Sequence, residues 1–170
     1  MAPRILFVCT GNICRSPMAE YLLRARLADL PGPVAVHSAG VGALTGDPMH
    51  PQTMRVLRER GIDGADFVAT YLTPEAIAEH DLILGLSRSH RDDATAKVPM
   101  AWRRIVTLRE FDEHVAAGGD GIAEMRISGD RNRAELDIAD PMGKPNADFD
   151  RLVGEIEPII DRLAGWMRAR

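Results

Sequence analysis

A chain of 170 residues, 45% of them hydrophobic and 27% charged, has room for one sizeable core and the composition of a soluble globular protein. A formal net charge of −4 leaves no basic excess to neutralise a nucleic-acid backbone. Arginines such as Arg55, Arg58 and Arg60 alternate with acids, as on a solvated helix face. No segment approaches the about eighteen apolar residues of a membrane span, and Met-Ala-Pro-Arg lacks the apolar stretch of a signal peptide. The two cysteines, Cys9 and Cys14, lie five positions apart and cannot staple distant parts of a fold. The sequence therefore points to a cytoplasmic protein with no membrane or nucleic-acid partner, whose thiols serve chemistry rather than architecture.

Taken in chain order, Ile5-Leu6-Phe7-Val8 predicts a strand buried on both faces of a parallel sheet. A Thr-Gly-Asn turn follows, and Ser16-Pro17 predicts a helix with Ser16 as cap and Pro17 at its first position. Met18, Ala19, Leu22, Leu23 and Leu27 form its apolar stripe. Val34 to Val36 reads as a strand, Ser38-Ala39-Gly40 as a loop, and Pro51 to Arg60 as a helix stopped by Gly61. Thr73-Pro74-Glu75 opens a short helix. Leu82-Ile83-Leu84 and Ile105-Val106-Thr107-Leu108 read as further strands. Residues 115–135 are Gly-rich and charged, consistent with a flexible insert or short helix pieces. Apolar residues from Phe149 to Trp166 recur at helical spacing, interrupted by Pro158, which costs about 3 kcal/mol in a straight helix interior. Strands alternating with helices predict one α/β domain over residues 1–170, with ligands at the C-terminal ends of its strands.

The first strand ends at Cys9, and the eight residues from Cys9 to Ser16 meet the demands of phosphate binding. Gly11 permits consecutive backbone N–H groups to turn inward. The following helix adds free N–H groups and the positive end of its dipole. Arg15 supplies a planar fork for two phosphate oxygens. The same surroundings stabilise the thiolate of Cys9, which is the nucleophilic form, and Ser16 can donate a hydrogen bond to it. An isolated cysteine at a strand end is usually a small buried hydrophobe; the Cys-x5-Arg-Ser pattern between strand and helix favours chemistry here.

The run Val8-Cys9-Thr10-Gly11-Asn12-Ile13-Cys14-Arg15-Ser16-Pro17-Met18-Ala19-Glu20, with Ser38-Ala39-Gly40 and Asp140-Pro141 in the same order, resembles the low-molecular-weight protein tyrosine phosphatase family. The resemblance implies a three-layer flavodoxin-like fold, a four-stranded parallel sheet with helices on both faces. It implies hydrolysis of protein phosphomonoesters through a cysteinyl-phosphate intermediate, with neither metal nor cofactor. Thr10, Gly11, Asn12, Ile13, Cys14 and Ser16 then surround the substrate phosphate. Asn12 and Ser38 hold the loop in its strained shape, and Cys14 is the partner for a reversible protective disulfide with Cys9.

Hydrolysis also needs a proton for the leaving oxygen and a base for the attacking water, and one carboxyl group can serve both in turn. Asp140 is the candidate, set in a stiff loop by Pro141; Asp137, three residues earlier, is the alternative. Phosphotyrosine-specific relatives commonly carry aromatic walls after Ser-Ala-Gly and Asp-Pro. Here Leu44 and Met142, with Ile13, are the expected aliphatic walls. Family members acting on phosphoarginine resemble the same loop with Thr at the position of Ile13, so Ile13 favours phosphotyrosine. An arsenate reductase would need relay cysteines beyond Cys14, a non-catalytic phosphate-binding module would lack the nucleophile, clamp or acid, and a thioredoxin-like redox protein would need Cys-x-x-Cys. The five histidines are too dispersed to suggest a metal site, and Trp102 and Trp166 are expected at the core edge.

Overall fold

Alternation along the first strand sets the layering. In the computed structural model, which describes residues 2–123, 125 and 129–170, strand β1 (Ile5–Cys9) turns Ile5, Phe7 and Cys9 to one face and Leu6 and Val8 to the other. It is the second strand of a parallel sheet ordered β2-β1-β3-β4, with β2 at Val36–Gly40, β3 at Leu82–Gly85 and β4 at Ile105–Thr107. Helices α1 (Arg15–Arg26), α2 (Pro51–Arg58), α5 (Leu108–Ala116) and α6 (Asn146–Arg168) cover the Phe7 face. Helices α3 (Pro74–Glu79) and α4 (Arg88–Lys97) cover the Leu6 face. This is the three-layer flavodoxin-like arrangement, and its strand order reverses direction beside β1, where such folds place their ligands.

Several local departures from expectation have physical causes. Helix α1 begins at Arg15, with Cys14 at the cap position and no side-chain cap, because the Ser16 hydroxyl is committed to the loop behind it. Ser38-Ala39-Gly40 is not a loop: it continues β2, which starts at Val36 and pairs with β1 as far as Cys9↔Gly40. Gly40 is required there, since a Cβ would lie 2.3 Å from the Thr10 carbonyl oxygen. Helix α2 stops at Arg58, and the following turn ends at Gly61 with φ 73°. Arg58 faces water as expected, but Arg55 bridges to Asp150 of α6 and Arg60, from the turn, to Glu157.

Helix α6 runs through Pro158 without interruption. Pro158 and Gly154 are both exposed, so the Gly154 carbonyl that loses its amide partner faces water, and Gly154 brings no side chain to crowd the ring. Helix α4 and the capping box of α5, Thr107 with Glu110, had no clear periodic signal. Within the 115–135 stretch, α5 ends at Ala116, a short 3-10 helix begins at Ala134 and runs to Leu136, and the described residues between them are turns and irregular backbone. They are anchored by Trp166 Nε1–H donating to the Asp120 carbonyl and by Arg131 pairing with Glu110. The flexible-insert expectation falls partly on residues 124 and 126–128, outside the described residues. Trp166 packs at the core edge, but Trp102 is half exposed.

Candidate active site

The end of β1 delivers Cys9 to the floor of a cleft of about 220 Å³, and the first turn of α1 delivers Arg15 to its side. The cleft is lined by Cys9, Thr10, Gly11, Ile13, Cys14, Arg15, Leu44, Asp140 and Met142, all predicted from sequence, and by Gly42. Asn12, Ser16 and Ser38 lie behind it, buried. A broader concavity between Ala78 and Arg104 contains neither a cysteine nor a helix N-terminal loop. Among the described residues, no group of three or more His, Cys, Asp or Glu side chains is placed to hold a metal ion.

The loop is shaped from behind by a chain of polar groups. Asn12 has φ 57°, the only positive value among described non-glycine residues, and is completely buried. That conformation costs roughly 1 kcal/mol or more and is offset by three hydrogen bonds. Its Nδ2 donates to Ser16 Oγ at 2.9 Å and Ser38 Oγ at 2.8 Å, and its Oδ1 accepts from the Thr70 amide at 2.8 Å. Because Ser16 Oγ accepts from Asn12, its own hydrogen is left for Cys9 Sγ, 2.8 Å away. Ser38 likewise donates to Glu20 Oε2 at 2.5 Å. Burial raises the Glu20 carboxyl, opposed by Ser38 and by Arg24, whose guanidinium lies 2.7 Å away. The two serines are thus oriented outward from Asn12, one to the sulfur and one to a buried carboxylate.

The segment opposite the loop carries Asp140. Arg15 Nη1 donates to the Ile138 carbonyl at 2.9 Å, and Arg15 Nη2 lies 3.3 Å from Asp140 Oδ2. Asp140 is half exposed, and its Oδ1 accepts from the Met142 amide, a local turn closed after Pro141. Asp137 does not face the cleft. Its carboxylate accepts from the Arg88 amide at 2.7 Å and from the Arg88 guanidinium in a two-pronged pair, which holds it below its ordinary range.

Sequence reasoning missed the support provided by Glu20, Thr70 and the first turn of α4. Ser87 caps that helix, and His90, buried, sits between Ser87 Oγ at 2.9 Å and Thr10 Oγ1 at 2.9 Å. Burial, reinforced by the Arg15 charge, lowers His90 to about 4, so it is neutral at physiological pH. A Ser-x-x-His sequence beginning a helix was the available signal, but only the fold brings it to Thr10. His37 and His80 form a separate hydrogen-bonded pair beside the β2 edge. Both cysteines are free thiols, and burial together with the neighbouring Cys9 pushes Cys14 up to about 12.

A family model for low molecular weight phosphotyrosine protein phosphatase matches residues 4–169. The chain is 41% identical over 169 residues to a probable low molecular weight protein-tyrosine-phosphatase, EpsP, from Ralstonia solanacearum, covering 99% of each. It is 38% identical over 164 residues to a protein-arginine-phosphatase from Geobacillus stearothermophilus, covering 96% of this chain and 95% of the relative. The solved structure of the YwlE arginine phosphatase from Geobacillus stearothermophilus superposes with a TM-score of 0.79 at 37% identity, over 98% of this chain and 94% of that one. The chain belongs to the low molecular weight phosphotyrosine protein phosphatase family, and it is accordingly a hydrolase, a phosphatase.

Proposed function

We propose that this chain is one phosphatase domain that dephosphorylates protein substrates in the cytoplasm, phosphotyrosine in preference to phosphoarginine. The observation that carries the reading is the Ser16 hydroxyl aimed at Cys9 Sγ at 2.8 Å, inside a loop that opens on Arg15 and Asp140. In the first step Cys9 sulfur attacks phosphorus, the bond from phosphorus to the leaving oxygen breaks, and the Asp140 carboxyl gives that oxygen its proton. Arg15 and the loop amides hold the equatorial oxygens as charge develops on them. In the second step Asp140 takes a proton from water, the water oxygen attacks phosphorus, and the Cys9 thiolate leaves with its charge stabilised by Ser16. Cys14, the only other cysteine of the chain, is the partner for a reversible disulfide should Cys9 be oxidised. The cytoplasmic placement is supported by free thiols and by the absence, among the described residues, of a helix long and apolar enough to cross a membrane.

Ile13 supports the phosphotyrosine preference, because it lines the cleft with an apolar side chain where a hydroxyl would assist attack on a guanidinium phosphate. A phosphoarginine reading is favoured by one observation, the aliphatic walls Leu44 and Met142 where no aromatic ring lines the cleft. Release of phosphate from a phosphotyrosyl and a phosphoarginyl peptide of matched sequence separates the two. A higher kcat/KM for the phosphotyrosyl peptide is expected; the reverse order would replace phosphotyrosine by phosphoarginine as the substrate class.

A further inference from the structure

We propose that Arg88 and Asp137 are positioning residues for the general acid: their ion pair fixes the loop that carries Asp140 in register with the nucleophile loop. The proposal rests on the reading of Asp140 as that acid. Asp140 is half exposed and is touched directly by Arg15 and by the Met142 amide. Its backbone is set in addition by the residues just before it: Ile138 is buried in the core, and Asp137 is gripped by three N–H groups of Arg88. The amide donates to Oδ1 at 2.7 Å, and Nε and Nη2 donate to Oδ1 and Oδ2 at 3.1 and 2.7 Å. Paired, parallel bonds from a guanidinium fix orientation as well as distance. Arg88 also reaches the Asn132 carbonyl, tying down the approach to the same loop. The next residue, Ile138, donates its amide to the Leu86 carbonyl at 2.9 Å, so two consecutive residues are fastened to the junction of β3 and α4.

That junction is itself mounted on the nucleophile loop. His90, two residues after Arg88, contacts Thr10 directly after Cys9. The Leu86 amide donates to the Val8 carbonyl directly before Cys9. Gly85 lets α4 approach so closely that a Cβ would lie 2.7 Å from the Arg91 amide nitrogen. One helix turn therefore holds the loops bearing both reacting groups. Because the Arg88–Asp137 pair is partly exposed, it adds little to global stability, and its loss is expected in the geometry of proton transfer rather than in folding.

The test compares phenyl phosphate, whose phenolate needs a proton as it leaves, with p-nitrophenyl phosphate, whose leaving group departs readily as an anion. The quantity read is kcat/KM, which reports formation of the phosphoenzyme. Arg88→Gln and Asp137→Asn are each expected to lower the phenyl phosphate value about tenfold more than the p-nitrophenyl phosphate value. The double variant is expected to be no worse than either single one, because both remove the same contact. Equal losses on the two substrates would make the pair a general scaffold and overturn the proposal, as would no loss on either. If Arg88→Gln melts early, Asp137→Asn, which keeps the side-chain size, decides alone. Asp140→Asn separates the two claims. If it shows no leaving-group selectivity, the acid assignment falls and the proposal with it; if Asp140→Asn is selective while Arg88→Gln and Asp137→Asn are not, only the positioning role falls.

Discussion

Asn12 shows how much of the site is decided by one side chain. Its amide gives both hydrogens to serines and takes one from a backbone amide, so the left-handed turn and the direction of the Ser16 hydroxyl are a single arrangement. His90 plays the quieter part, a neutral imidazole sealed between Ser87 and Thr10. Its folded value of about 4 lies below the ordinary 6.5, so the unfolded chain binds this proton more readily. Stability is therefore undiminished by this group above about pH 6.5 and falls as pH drops from there toward 4, with a slope of at most about 1.4 kcal/mol per pH unit. Urea unfolding across that range should show His90→Asn less acid-sensitive than the wild type. Equal slopes would mean that His90 is protonated within the fold. At this scale the motif from Cys9 to Ser16 was legible because its chemistry is local in sequence. Glu20, Thr70 and His90 were not: Thr70 and His90 are brought to the loop from distant sequence only by the fold, and Glu20 acts on it through Ser38 of β2.

Elements were read well where one physical signal dominated and poorly where a contact overrode it. The apolar runs of β1, β3 and β4 announced buried parallel strands, and α6 announced its stripe. Ser38-Ala39-Gly40 has the composition of a turn, yet it is strand because β1 pairs with it and because Gly40 admits the Thr10 carbonyl. That close approach predicts a consequence. Gly40→Ala should push the nucleophile loop out of place, costing about 2 kcal/mol in stability and lowering kcat/KM for every aryl phosphate alike. Thermal unfolding with steady-state kinetics checks it; an unperturbed variant would mean that the loop yields without consequence. Helix α4 was illegible for the opposite reason: its polar surface gives almost no stripe, and its value lies in its first turn.

Across the whole molecule, the parts needed for phosphoryl transfer gather at the C-terminal ends of β1, β2 and β3, and the helices behind them form the mount. The negative net charge fits an enzyme that finds its substrate through one local anion site rather than a broad basic surface. The central claim, a covalent phosphoenzyme on Cys9 hydrolysed with Asp140, is tested most directly by rapid-mixing kinetics with p-nitrophenyl phosphate. Wild type should turn over. Cys9→Ser should release no p-nitrophenol while still binding vanadate. Asp140→Ala should show a burst followed by a steady state slowed at least about a hundredfold. Turnover by Cys9→Ser, or an Asp140→Ala steady state equal to wild type, would contradict the account; phosphate binding without turnover by the wild type would make the chain a binding module instead.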